Sequence, residues 1–135
     1  MDISKFLHQH EEALELLQRL EDHCKQIPLN SREVSESLVG IAAQLKFHLA
    51  MEDKFLYPKA SQSSDAELKS LSHHMSDEMM EISKVFDKYV NAWTKSSIDR
   101  DSAKFLAETA QIIAAIRDRI EREEGHLYPL AEARL

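Results

Sequence analysis

The chain has 135 residues, 43% of them hydrophobic, and a formal net charge of −7 at pH 7. That is one domain's length with enough apolar material for a core, and its acidity excludes nucleic-acid binding through broad phosphate contact. The lone cysteine, Cys24, rules out an intramolecular disulfide and fits a reducing compartment, while the start, MDISKFLHQHEE, lacks the apolar run of a secretory signal, so a cytoplasmic protein without a membrane span is expected.

Apolar residues recur at alternating three- and four-residue spacing in four blocks, the period of helices with one buried face. The first expected helix runs from about Asp2 to Gln26, with a seam of Ile3, Phe6, His10, Ala13, Leu17, Leu20 and Cys24. Pro28, which has no amide hydrogen to continue the ladder, ends it. The second opens at Asn30, with Glu33 at capping-box spacing, and carries Val34, Leu38, Ile41, Leu45, His48, Glu52 and Phe55 to Pro58. Ser64 and Glu67 repeat that spacing and open a third, with Leu68, Leu71, Met75, Met79, Ile82, Phe86, Tyr89 and Trp93 on its seam. The stretch TKSSID, residues 94–99, reads as a turn. The fourth seam is Leu106, Thr109, Ile113, Ile116, Ile120, Glu123, Leu127 and Leu130. Strand patterns are absent. Long amphipathic helices joined by short links predict an all-α, up-down-up-down antiparallel four-helix bundle, a single domain over residues 1–135.

Four ionisable residues interrupt these dry seams: His10, His48, Glu52 and Glu123. A buried carboxylate needs a donor, a cation or a metal. His48 and Glu52 are four residues apart, one turn apart on one face. Imidazole nitrogen with carboxylate oxygen suits iron, manganese or zinc, and bundles build such sites from facing helices.

A phrase is also repeated. FHLAMEDKFLYP, residues 47–58, returns as DRIEREEGHLYP, residues 118–129, each with a glutamate four residues before Leu-Tyr-Pro. With His10 in HQHEEALELL, His48-x-x-x-Glu52-Asp53-x-x-Leu56-Tyr57-Pro58 and Glu123-Glu124-x-x-Leu127-Tyr128-Pro129, the chain resembles the hemerythrin-like (HHE cation-binding) family over nearly its whole length. The resemblance implies a pair of iron atoms held between helices by His and carboxylate ligands. It also implies carrying or sensing of dioxygen, nitric oxide, redox state or iron.

The family pattern would place a His at position 119, where this chain has Arg119, whose guanidinium stays protonated and cannot ligate. In the third helix the seam passes through Met75; on a helical wheel His74 lies about 100° and Glu78 about 60° from its centre. The expected ligand set is therefore His10, His48, Glu52 and Glu123 with His74 or Glu78, for a mononuclear or weak di-metal site, with iron as the expected metal. His126 aligns with Phe55 and belongs to the helix end.

Arg119 admits another reading: it supplies the positive charge a second metal supplies elsewhere, in a metal-free regulatory bundle that acts on a protein partner. A di-iron enzyme ranks below both, because no nucleophile–base pair is evident. Monomer and homodimer are both open. His8, His23 and His73 are expected at the surface, and Cys24 and Trp93 in the core. Tyr57 and Tyr128 are expected to close the bundle ends, ring inside and hydroxyl in water.

Overall fold

Helix starts are where side chains must take up free backbone amides, and four such caps organise this chain. In a computed structural model describing residues 1–135, the helices are α1 (Ser4–Cys24), α2 (Ser31–Phe55), α3 (Tyr57–Ser61), α4 (Ala66–Ala92), α5 (Lys95–Arg100), α6 (Ser102–Arg122) and α7 (Tyr128–Arg134), with a π-helical turn at Glu123–Leu127; no strand is present. The Asn30 side chain accepts the Glu33 amide at 3.1 Å and starts α2. Asp65, one residue beyond the expected Ser64, accepts the Leu68 amide at 2.9 Å and starts α4. The stretch read as a turn is a helix: Thr94 and Ser97 each bond the other's backbone amide, and Ile98 is fully buried beneath them. Asp101 accepts the Lys104 amide at 3.2 Å and starts α6. Each cap contributes about 1 kcal/mol.

Pairs of contacts set the helix directions. His10 meets His48 while His23 meets Glu33, so α1 and α2 run antiparallel. Glu78 meets Arg122 while Tyr89 meets Thr109, so α4 and α6 do as well. Arg117 on α6 reaches Glu21 on α1 at 2.8 Å.

Two apolar clusters result. One gathers Leu17, Leu20, Leu38, Ile41, Phe86, Tyr89, Trp93, Phe105, Ile113 and Ile120. The other gathers Ile3, Phe6, Leu56, Tyr57, Leu68, Met75, Leu127, Tyr128 and Ala131. Each large side chain so buried contributes about 1.5–3 kcal/mol. Gln9 and His10 on α1, His48 and Glu52 on α2, and Arg119 and Glu123 on the α6–π-turn segment fall between members of the two clusters. The polar layer is thus closed off from water at both ends by side chains.

The π turn forms where α6 passes into α7, and the Tyr128 amide donates to the Glu123 carbonyl, five residues back. π turns arise mostly as single insertions in α-helices and frequently sit at functional sites. No helix is long and apolar enough to cross a membrane.

Candidate metal centre

The regular turn of α2 puts His48 and Glu52 on one buried face, with His48 Nε2 3.2 Å from Glu52 Oε1. Helix α1 brings His10 opposite, its Nε2 3.1 Å from His48 Nε2. The π turn supplies Glu123, whose Oε1 is 3.5 Å from His10 Nε2. All four residues are buried, Glu52 completely. Tyr128 completes the cluster: its Oη donates to Glu52 Oε2 at 2.8 Å and lies 3.2 Å from Glu123 Oε2.

Outer partners set the ring orientations. His10 Nδ1 donates to Glu124 Oε2 at 2.8 Å. His48 Nδ1 donates to Gln9 Oε1 at 2.6 Å, and the Gln9 carbonyl in turn accepts from Gln44 Nε2 at 2.7 Å. A hydrogen on each Nδ1 leaves the two Nε2 atoms facing inward.

Charge is shared unevenly. Burial, helped by the nearby His10 and Arg119 and opposed by Glu123, brings His48 down to about 4, so its ring is neutral at pH 7. Burial and then the adjoining Glu123 carboxylate raise Glu52 well above the usual range. Burial also pushes Glu123 up, but hydrogen bonds with Glu52 and His10 and the charge of Arg119 outweigh it and hold Glu123 at about 2. One proton therefore serves the two carboxylates, as expected of acids forced close together.

The resulting inventory is short of donors. Six acceptor atoms converge: two imidazole Nε2 and four carboxylate oxygens. Glu52 and Tyr128 each bring one hydrogen, and a third lies between the rings only where one imidazole carries two, so there are at most three. Glu52 Oε1 has no hydrogen bond at all. A metal cation would take up several of these lone pairs at once, and mixed N/O donors suit iron, manganese or zinc. The residues present fit a metal ion.

Arg119 forms one wall. Its side chain is 3% exposed; Nη2 donates to Tyr57 Oη at 2.8 Å, and Nε lies 3.6 Å from Glu123 Oε1 without a hydrogen bond. A cavity of about 40 Å³ opens beside it, bounded by His10, His48, Arg119 and Glu123 on one side and by Leu45, Met79, Ile82 and Phe86 among its apolar walls.

The structure brings together His10, His48 and Glu123, whose ligand atoms lie within 4.8 Å of one another, sets Glu52 beside His48, and leaves the third-helix candidates out. His74 is 74% exposed, 3.8 Å from Glu78, and turned away from the buried layer. Glu78 is engaged elsewhere: Arg122 grips both its oxygens, Arg119 Nη1 adds a contact at 3.5 Å, and these bonds, Arg122's foremost, hold its carboxyl below the usual range. His126 lies at the surface near Glu67. Tyr57 and Tyr128 correct another expectation, since both hydroxyls bond inside the protein. Leu56, Leu127 and Ala131 are fully buried in the apolar cluster that holds both rings. Sequence reasoning also missed Gln9 and Glu124; their only signal was adjacency to His10 and Glu123.

A helical protein with a buried imidazole–carboxylate cluster that is short of hydrogens belongs to the class of cation-binding helical domains. The chain belongs to the hemerythrin HHE cation binding domain family, whose sequence profile matches residues 1–131. No curated protein and no solved structure matches it.

Proposed function

We propose that this chain binds a single iron ion through His10, His48, Glu52 and Glu123, and uses it to bind or sense dioxygen or nitric oxide or to handle iron. The observation that carries this reading is the convergence of six acceptor atoms on at most three hydrogens. Arg119 favours one ion over two: it puts a fixed positive charge where the family pattern has a ligand. The cavity of about 40 Å³ supports a small ligand, since a water needs roughly 10–15 Å³ by this measure. In this reading the long helices form an up-down-up-down bundle, a single cytoplasmic domain over residues 1–135, monomeric or homodimeric.

Elemental analysis after growth with iron and purification without chelator tests it. About one iron per chain is expected, lost in both His48→Ala and Glu52→Ala. Two irons per chain would refute the single-ion reading, and none, even after anaerobic ferrous loading, would refute metal binding.

A second reading has its own support in the burial of Arg119 against Glu123 and Tyr57. Here the guanidinium replaces metal charge altogether, and the bundle acts as a regulatory module on a protein partner. It expects no metal in the parent and increased uptake in Arg119→His.

A further inference from the structure

Tyr128 sits where a ligand would. Its Oη is 3.1 Å from His10 Nε2, 3.5 Å from His48 Nε2, 2.8 Å from Glu52 Oε2 and 3.2 Å from Glu123 Oε2. Ligand atoms held about 2.1 Å from one ion in octahedral geometry stand roughly 3.0 Å apart along each edge. The Tyr128 oxygen stands 2.8–3.5 Å from four candidate ligand atoms on three segments of the chain, three of them close to that edge spacing. A hydroxyl serving only to satisfy Glu52 would need one of these contacts.

Two features hold it there. In an α-helix, residues five apart point about 140° away from each other. The π turn adds a residue to the turn and brings Glu123 and Tyr128 to the same centre. The phenol ring is fully buried, stacked on His10 with centroids 5.2 Å apart and tilted against Phe6 at 5.7 Å. Tyr57, the equivalent residue of the first Leu-Tyr-Pro phrase, faces the Arg119 guanidinium instead.

We propose that Tyr128 is itself a metal ligand, whose phenolate oxygen joins His10, His48, Glu52 and Glu123 in a two-nitrogen, three-oxygen donor set that favours trivalent iron. The proposal rests on the metal-binding reading above. Coordination breaks the phenol O–H bond and forms an O–metal bond; the proton passes to solvent and the iron keeps its oxidation state. Phenolate is a hard anionic donor, and tyrosine oxygen is an established ligand of ferric iron in other protein settings.

The test loads purified protein with ferric iron supplied as citrate, removes unbound iron, and measures iron per chain together with visible absorption and resonance Raman phenolate modes. The parent should bind iron and show a phenolate-to-iron charge-transfer band. Tyr128→Phe should lose the band and bind at least about tenfold more weakly. The chain has three tyrosines, and Tyr89 is engaged with Thr109 in the other cluster. The double variant Tyr57→Phe/Tyr89→Phe therefore keeps Tyr128 alone and should keep the band, a result that does not depend on Tyr128→Phe folding. Bound iron without a phenolate band in the parent would overturn the role of Tyr128 and leave metal binding standing. Loss of the band in the double variant, with iron still bound, would also overturn it. Absence of iron would sink both readings.

Discussion

Gln9 and Glu124 offer no atom to the centre of the cluster, yet they decide which way its imidazoles face. Each accepts an Nδ1 hydrogen and so leaves an Nε2 directed inward. Gln9→Ala and Glu124→Ala should each weaken metal binding about 10–100-fold, by the measure of outer-shell partners elsewhere, with every inner ligand intact; titration with ferrous iron would show it. Glu52 sets the pH response. Its raised pKa means metal uptake must displace a proton, so affinity should fall as pH falls, and each ion bound should release protons in a weakly buffered titration. His48 acts on the metal-free fold. Its pKa of about 4 lies below the unfolded value of about 6.5, so between these pH values the unfolded chain takes up a proton that the folded chain refuses. Its contribution is present above about pH 6.5 and lost as pH falls to about 4, at most about 3 kcal/mol. Melting of His48→Gln should be flatter over that range than melting of the parent.

At the scale of elements, the π turn joins a catalogue of regular helices to a site. Deleting Gly125, exposed and with nothing within 4 Å of an added Cβ, would return the segment toward α geometry. That should abolish metal binding and detach α7 from its apolar cluster, while circular dichroism still reports a helical protein. The regular parts were legible beforehand. His48 and Glu52 share a face because α2 is unbroken from Ser31 to Phe55, and a 3.6-residue period places them correctly. The π turn was not legible, because Glu-Glu-Gly-His-Leu continues the same period, and extending that period sends the Tyr128 hydroxyl toward water. Glu78 stands outside the cluster for a different reason. Its angle on the wheel was favourable, but Arg122 and Arg119 approach from a facing helix that a one-helix projection omits. The choice between Ser64 and Asp65 turned on one residue, since both side chains are good caps. Arg119 belongs to this scale too, tying α6 to α3 through Tyr57 and to α4 through Glu78. Arg119→Leu should destabilise the metal-free protein by about 3–5 kcal/mol, the usual effect of stripping one partner from a buried charge pair; denaturant unfolding would measure it.

Across the whole molecule, the candidate ligands come from α1, α2 and the π turn, so an ion would tie together segments that the unfolded chain holds far apart. An ion that binds only the folded state at 100 times its dissociation constant adds about 2.7 kcal/mol. Iron loading should therefore raise the melting temperature by on the order of 10 °C, reversed by a strong chelator. The polar layer also has an order in time. His10 and Glu124 are bonded although they stand 114 positions apart in sequence. On the ribosome, the histidines of the first half of the chain emerge well before Glu123 and Tyr128 have been translated. A nascent chain has imidazoles but no closed cage, so an ion that needs all of these donors can be held only once the last of them has been translated.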